Sequence, residues 1–483
     1  MRFIRFTIVL AMVITFAKTL PAETTLPKII GSNMVLQRGK PIPIWGWESQ
    51  SQTNKVTVTF NGKSVTTTPA ANGKWSLKLP IMKAGGPFEM SIEGSTQIKL
   101  KNIMVGEVWL CSGQSNMEWT VRSSNNAKKE IAEGQFPGIR HIKIPHRPSD
   151  KPESDVPSKG WEVCSDQTVA NFTAVGYFFG KKLHQELNVP IGLIGSNWGG
   201  TRIEPWTPPE GFRMVPALKA SITDKLDQLP VTREVKNKEG KVTGKSVVHQ
   251  SPLALYNGMI HPLLPYSIRG AIWYQGESNN GEGMMYYEKM KALILGWRAV
   301  WKTPDLPFYF VQLAPFNYGA ARAGALPLIW EAQSKALDLP YTGMAVTTDI
   351  SNVRDIHPRN KQDVGLRLAL WALAKDYGKP ETVFSGPKYK SMTSNGNKIT
   401  IRFDHVGGGL ISRDGKDLSH FTIAGSDKKF VPAKAKIVAG TIVISANGID
   451  APLAVRFGWD QTAEPNLANR EGLPASPFRT DKW

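Results

Sequence analysis

The sequence is poor in cysteine: its 483 residues include only Cys111 and Cys164. So few thiols exclude a fold built on disulfides, and neither cysteine has the spacing to a histidine that marks a zinc site. Both end apolar, strand-like segments, Val108–Cys111 and Trp161–Cys164. We therefore expect two buried free thiols rather than a bridge.

Long hydrophobic runs are also missing beyond the amino terminus. Residues 1–22 combine the positive Arg2 and Arg5 with an uncharged apolar stretch at Phe6–Ala17. A membrane-spanning helix needs about 20 apolar residues, so this pattern predicts a signal peptide, with an uncleaved anchor as the alternative. We expect a secreted or periplasmic protein without membrane contact beyond its signal peptide.

Acidic residues are scarce, with 40 Asp and Glu against 59 Lys and Arg, which gives a net charge of +19. A basic balance can indicate a nucleic-acid partner or an anionic surface. The lysines are scattered, however, and no nucleic-acid-binding motif is recognisable. We expect no nucleic-acid partner, and a basic solvated surface that would suit an acidic polysaccharide.

The chain is too long for one compact core, and its pattern changes twice. Residues 23–103 alternate like short strands, with an Asn-Gly turn at Asn61-Gly62, and predict an N-terminal β-sandwich. Residues 104–378 alternate strands with helices, which predicts a parallel sheet covered on both faces, interrupted by a polar insertion at about 207–250. Residues 385–483 predict a second β-sandwich with an irregular tail after Trp459.

Ser115 stands where the first strand of the α/β region ends. It follows Gly113 in a short polar turn, and a ligand site in such a sheet lies beyond the carboxyl ends of the strands. A serine hydroxyl needs a neighbouring base to act as a nucleophile. By itself, a serine in a glycine-containing turn is usually structural.

His357 is the candidate base. It lies between the last predicted strand and the last predicted helix, with Asp355 before it and Pro358 after it. A nearby carboxylate can hold the imidazole tautomer and stabilise the imidazolium. A lone histidine before a helix is usually structural, but Ser115 and His357 at two strand ends of one α/β domain are more informative together.

Four segments in order resemble the sialate O-acetylesterase-like family of the SGNH hydrolase superfamily. They are Val108–Trp119, Ser196–Thr201, Trp273–Asn279 and Asp355–Pro358 followed by Lys361–Leu368. The resemblance covers almost all of the chain after residue 22. It implies an α/β fold with a three-layer, SGNH-hydrolase-like parallel sheet, flanked by the N-terminal and C-terminal β-sandwich domains.

The resemblance also implies an acyl-enzyme mechanism. Ser115 would attack an acetyl carbonyl, and its backbone N–H would join that of a glycine in Gly199-Gly200, with Gly200 favoured, to bind the oxyanion. The superfamily's third block supplies an Asn, whereas this chain has Gln275 and Glu277. Because an amide can donate and an ionised carboxylate cannot, Gln275 is assigned as the third donor.

In the superfamily pattern the acid of the triad stands three positions before the histidine. In this chain that position, before His357, is Arg354. Asp355 is the candidate, Asp349 is the fallback, and a Ser-His dyad steadied by a backbone carbonyl is the third alternative.

Substrate contacts are assigned to residues that flank the four segments. Trp198, Trp206 and Trp119 would stack on a sugar or simply pack, and Glu277 would orient a loop or a sugar hydroxyl. Arg202 would pair with the carboxylate of a sialic or uronic acid, or with Glu204.

The sequence as a whole predicts a secreted serine esterase that removes O-acetyl groups from a carbohydrate without a metal or other cofactor. O-acetylated sialic acid and acetylated xylan or another hemicellulose are alternative substrates. A non-catalytic carbohydrate-binding protein is the alternative of another class. The sequence gives no indication of the oligomeric state.

Overall fold

The computed structural model describes residues 23–49 and 55–483. The predicted signal peptide, residues 1–22, lies outside the described residues, and its prediction stays untested. The helices are α1 Ser115–Glu118, α2 Ala127–Ala132, α3 Ala174–Leu187, α4 Pro209–Arg213, α5 Met285–Val300, α6 Ala325–Lys335 and α7 Lys361–Asp376.

The strands divide at about the middle of the chain. The first half holds β1 Thr24–Thr25, β2 Val35–Gln37, β3 Ile42–Glu48, β4 Val56–Phe60, β5 Lys63–Thr67, β6 Lys74–Leu79, β7 Gly85–Glu93, β8 Gln97–Gly113, β9 Ile139–Lys143, β10 Trp161–Val163, β11 Ile191–Asn197, β12 Thr232–Lys236 and β13 Val242–Val247. The second half holds β14 Gly270–Tyr274, β15 Phe308–Val311, β16 Thr342–Ala345, β17 Lys388–Asn395, β18 Lys398–Asp404, β19 Leu410–Ser412, β20 Phe421–Ala424, β21 Val431–Pro432, β22 Lys434–Val438, β23 Thr441–Ser445, β24 Ala454–Phe457, β25 Leu467–Asn469 and β26 Phe478–Arg479.

The strands of the N-terminal region pair in antiparallel fashion, except β2, which runs parallel to β8. Strand β6 alternates exposed and buried residues along its whole length. Strands β4 and β5 form a hairpin in which Asn61 and Gly62 both have positive φ, 48° and 71°. That geometry is the type I′ turn that an Asn-Gly pair favours.

Strand β8 joins the N-terminal region to the α/β region without a linker. Its first part pairs with β7 in antiparallel fashion, and its last part pairs in parallel with β11 and β14. The boundary predicted at 103/104 therefore falls inside one strand. Buried residues on both sides of it form one continuous hydrophobic core.

The central sheet has the strand order β10-β9-β11-β8-β14-β15-β16. All neighbours are parallel except β10, which runs antiparallel to β9 at the edge. Trp109 packs on Phe179 of α3, and Trp273 packs on Trp297 of α5. Because these two tryptophans point to opposite sides, helices cover both faces of the sheet.

The insertion predicted at 207–250 contains α4 and an exposed hairpin, β12–β13, with its turn near Gly240. Helix α4 lies close against α5 because Gly211 has no side chain: a Cβ there would sit 2.0 Å from the carbonyl oxygen of Ala292.

The C-terminal region has two four-stranded sheets, β17-β18-β23-β22 and β21-β20-β24-β26, around its own core. The tail after Trp459 is irregular over most of its length, as the sequence indicates, but it also supplies the short strands β25 and β26. It also contacts the α/β region, where Gln461 bonds to the backbone of Phe316 and Arg479 pairs with Glu331. Strands β25 and β26 have three and two residues, which is too short for an alternating pattern to be visible in the sequence.

Cys111 and Cys164 are both free and buried, which confirms the expectation of two thiols. Within residues 23–49 and 55–483, no helix is both long and apolar enough to span a membrane.

Candidate active site

Three parallel strands end side by side at one edge of the central sheet. Gly113, the last residue of β8, lies in register with Asn197 of β11 and Tyr274 of β14. Gly113 has φ +135°, and a Cβ there would come within 2.2 Å of the carbonyl oxygen of Tyr274. Only glycine fits this crossing, and the chain leaves it directly into α1, whose first residue is Ser115.

The hydroxyl of Ser115 meets the imidazole of His357 at this edge. Ser115 Oγ lies 2.8 Å from His357 Nε2, across 242 residues of sequence. The imidazole stacks on Trp119 with ring centroids 5.1 Å apart. Burial and the positive charge of Lys361 lower the pKa of His357, and the nearby Asp355 opposes them. The imidazole is therefore neutral at neutral pH and can accept a proton from Ser115.

The two candidate acids have different surroundings. Asp355 Oδ1 accepts a hydrogen bond of 2.9 Å from the backbone N–H of His357. Both oxygens of Asp349 bond to the guanidinium of Arg367 at 2.7 Å. In the part of the chain that the structure describes, no hydrogen bond joins either carboxylate to the imidazole. Asp349 is thus committed to an ion pair, and Asp355 contacts the base through its backbone.

The glycine pair lies beside the serine. A Cβ on Gly199 would be 3.3 Å from the Cβ of Ser115, so the two residues are in close contact. The N–H of Gly199 donates to Glu118 Oε2 at 2.7 Å. The N–H of Gly200 has no hydrogen-bond partner among residues 23–49 and 55–483. Of the two, only Gly200 offers a free donor.

Gln275 does not offer its amide to the site, which corrects the sequence assignment. The residue is fully buried, and its Nε2 donates to Thr201 O at 3.1 Å and to Asn279 Oδ1 at 2.8 Å. Its Oε1 accepts from the hydroxyl of Tyr286 at 2.8 Å. Both amide protons are used, so Gln275 ties strand-end loops together instead of facing an oxyanion.

A different glutamine stands next to the nucleophile. Gln114 Oε1 accepts long hydrogen bonds from the backbone N–H groups of Gly276 and Ser278, at 3.5 and 3.3 Å. Because N–H donors fix the oxygen on that side, the Nε2 group points away from them. It has no hydrogen-bond partner within the described ranges. Sequence reasoning missed Gln114, although its place directly before Ser115 was a signal.

Glu118 organises the other wall of the site. It accepts hydrogen bonds from Lys143 at 3.0 Å and from His146 at 2.7 Å, besides the one from Gly199. Burial opposes ionisation, but His146 and Lys143 lower the pKa of Glu118 to about 2. Glu118 is therefore a charged clamp on the Gly199 turn.

The aromatic residues predicted to bind a sugar have protein partners. Trp198, which is half-buried, stacks on His146 and on His249, with centroids 4.3 and 4.9 Å apart. Trp206 is fully buried and donates to Thr201 Oγ1 at 3.0 Å. Trp206 is thus a packing residue, and its assignment to substrate is wrong.

Arg202 and Glu277 are also held by the protein. Arg202 pairs with Glu204 at 2.9 Å and with Glu282, and Lys289 joins both carboxylates. The structure thus favours the alternative in which Arg202 forms a salt bridge. Glu277 Oε1 accepts from Asn116 at 2.6 Å, while its Oε2 is buried without a partner among the described residues.

Metal ligands are not grouped in the described part of the chain: no three His, Cys, Asp or Glu side chains lie close enough to hold an ion.

Comparison with known proteins adds the family. The model of the sialic acid-specific acetylesterases, a carbohydrate esterase family, matches residues 238–373. The sialate O-acetylesterase of Mus musculus is 30% identical, over 98% of this chain and 97% of its own length. That of Rattus norvegicus is also 30% identical, over 89% and 88%.

A solved structure agrees with these relatives. The crystal structure of a carbohydrate acetylesterase from Xanthomonas citri is 37% identical and has a TM-score of 0.86, covering 95% of this chain and 100% of that one. These matches confirm the resemblance seen in the four sequence segments. The chain belongs to the sialate O-acetylesterase family, a family of carboxylic ester hydrolases that act on carbohydrates.

Proposed function

We propose that this protein removes O-acetyl groups from a carbohydrate through an acetyl-enzyme formed on Ser115. The observation that carries the proposal is the 2.8 Å contact between Ser115 Oγ and His357 Nε2 at the carboxyl edge of the sheet. A serine with a neutral imidazole in this position is an activated nucleophile. The family relationship supplies the class of substrate.

The reaction begins when Ser115 Oγ attacks the acetyl carbonyl carbon and passes its proton to His357 Nε2. The carbonyl π electrons move to oxygen and give a tetrahedral oxyanion. When the intermediate collapses, the bond between the acetyl carbon and the ester oxygen of the sugar breaks, and His357 gives the proton to that oxygen, which leaves as a sugar hydroxyl. Water then attacks the acetyl carbonyl carbon and passes a proton to His357. The bond between that carbon and Ser115 Oγ breaks, His357 returns the proton to Oγ, and acetate leaves.

The oxyanion needs donors that are free before the substrate arrives. We assign this role to the backbone N–H groups of Ser115 and Gly200 and to Nε2 of Gln114, which replaces Gln275. A donor already placed in a low-dielectric site stabilises the developing charge without reorganisation.

Asp355 is proposed to steady the base through its charge and through its bond to the backbone of His357. Its negative charge favours the imidazolium that forms during attack. The observed ion pair of Asp349 with Arg367 leaves that residue a structural role.

Secretion or periplasmic location is proposed from residues 1–22 alone. The substrate is proposed as an O-acetylated sialic acid or an acetylated xylan. Arg202 is paired with Glu204 and Glu282, so it does not argue for an acidic sugar. Comparing acetate release from the two substrates decides between them.

Hydrolysis of p-nitrophenyl acetate by wild type, Ser115→Ala and Ser112→Ala tests the chemistry. Ser112 lies in the same segment, and its hydroxyl is buried without a partner among the described residues, so it is a matched control. Ser115→Ala should lose roughly 10⁴-fold or more in kcat, and Ser112→Ala should stay close to wild type. Equal rates for wild type and Ser115→Ala would refute the nucleophile. A wild type that binds glycans but hydrolyses neither this ester nor acetylated sugars would be a binding protein instead.

A further inference from the structure

We propose that Lys361 is a positioning residue, which fixes the orientation of the Asn116 amide and thereby holds the nucleophile turn against the loop of the base. The inference rests on the proposed function, because it concerns how Ser115 and His357 are kept together.

Lys361 is buried at the start of α7, four residues after His357. Its side chain is inaccessible to solvent, and its Nζ donates to Asn116 Oδ1 at 2.5 Å. Asn116 directly follows Ser115 and is also buried. A buried lysine is rare unless it has partners, and nothing in the proposed reaction uses this one directly.

The Asn116 amide links the two halves of the site. Its Nδ2 donates to the carbonyl oxygen of Ile356 at 3.0 Å and to Glu277 Oε1 at 2.6 Å. Ile356 directly precedes His357. One amide therefore connects the residue after the nucleophile to the residue before the base and to the loop that follows β14.

Lys361 helps to hold this amide in its observed orientation. An ammonium group has three donors and no acceptor, so it can face only the oxygen of Asn116. The nitrogen must then face Ile356 O and Glu277, both of which are acceptors. Without the ammonium, Asn116 Oδ1 would lose the donor that holds it, and the amide would be held less firmly against Ile356 O and Glu277.

The charge of Lys361 acts on the same site. Its Nζ lies 5.3 Å from the ring centre of Tyr274 and 5.9 Å from that of Trp119. Burial lowers the pKa of Lys361 to about 7, and the opposing charges of Glu277 and Asp355 limit the shift. Below that pH the ammonium repels a proton on His357, whose pKa it lowers.

Burial also shifts the pKa of the other titratable groups around Lys361. Burial raises the pKa of Glu277, and the hydrogen bond from Asn116 offsets only part of this shift. Burial and, after it, the charge of Glu277 raise the pKa of Tyr274 and of Tyr318, so the two phenols stay neutral wherever His357 titrates.

The test compares Lys361→Met with Lys375→Met in the full-length protein. Methionine approximates the length of lysine without its charge, and Lys375 is an exposed lysine on the same helix, outside the site. We expect Lys361→Met to lose at least about 10-fold in kcat, and the acid limb of kcat/KM to move to higher pH because His357 loses a repelling charge. Lys375→Met should match wild type in both.

Four outcomes would overturn parts of this account, and they differ. If Lys361→Met matches Lys375→Met in kcat and pH profile, the inference is wrong while the proposed function stands. A lower melting temperature with an unmoved acid limb would mean a purely structural lysine, and would also overturn it. If the Lys361 variant does not fold, Asn116→Asp decides, because aspartate still accepts from Lys361 but cannot donate to Ile356 O: kcat should fall, and an unchanged kcat refutes the link. An inactive wild type would refute the proposed function and this inference with it.

Discussion

The side-chain donor of the oxyanion hole can be identified by substituting alanine for each of two glutamines, Gln114 and Gln275. Gln114→Ala removes a free Nε2 beside Ser115, whereas Gln275→Ala removes an amide whose donors and acceptor are already bonded inside the protein. Loss of one oxyanion donor costs about 10²–10³ in kcat, or roughly 3–4 kcal/mol. We expect that loss in Gln114→Ala, with little change in KM.

The order should be reversed for stability: Gln275→Ala should be destabilised more than Gln114→Ala. Among the described residues, the side chain of Gln114 makes only the two long bonds of 3.3 and 3.5 Å, so its loss should cost about 1 kcal/mol or less. Gln275→Ala leaves Thr201 O without its donor in a buried site and takes one of two donors from Asn279 Oδ1, which keeps the N–H of Ile203. An unsatisfied buried group costs about 1–3 kcal/mol. The free energy of unfolding of Gln275→Ala should therefore fall by about 1–3 kcal/mol.

Steady-state kinetics with p-nitrophenyl acetate and urea unfolding give both quantities. Gln114→Glu, which keeps the acceptor but cannot donate when ionised, should be as slow as Gln114→Ala. The reasoning fails if Gln114→Ala retains wild-type kcat while folded Gln275→Ala loses 10²-fold, since Gln275 would then be the donor.

Two further predictions concern the base and its acid. The acid limb of kcat/KM should have its midpoint below the ordinary histidine value of about 6.5, because burial and Lys361 lower the pKa of His357 and keep it neutral at lower pH; a midpoint above 6.5 in a pH–rate profile would contradict this. Asp349→Asn should lower the free energy of unfolding by about 3 kcal/mol, because it breaks a buried ion pair with Arg367. It should leave the acid limb of kcat/KM in place. A loss of roughly 10⁴-fold in kcat with unchanged stability would instead make Asp349 the acid of the triad.

The order of elements in the α/β region follows closely from the sequence. The short apolar run Gly270–Tyr274 predicts a strand and coincides with β14. The helical pattern of Lys361–Tyr377 predicts a helix, and α7 differs from that range by one residue at the end. Helix α7 is long enough for its helical period to be visible. Strand β14 is uniformly apolar, which is typical of a buried parallel strand. Strand β9 was missed because Arg140, His141 and Lys143 interrupt it, although His141 is buried against Phe172.

The site could be predicted in its positions but not in its orientations. Ser115 and His357 follow strand ends, and strand ends of a parallel sheet converge. The direction of an amide depends instead on partners far away in sequence: Gln275 is turned by Tyr286 and by Thr201. Glu204, two residues from Arg202, could be predicted as its partner. Glu282, 80 residues further along the chain, could not.

The most direct test of the account locates the acetyl group during turnover. Wild-type protein mixed with p-nitrophenyl acetate, quenched in acid within the first turnovers and digested, is analysed by mass spectrometry. The account predicts one acetyl group per chain on the peptide that contains Ser115, and none there in Ser115→Ala. An acetyl group that accumulates on a different residue at the rate of turnover would contradict it.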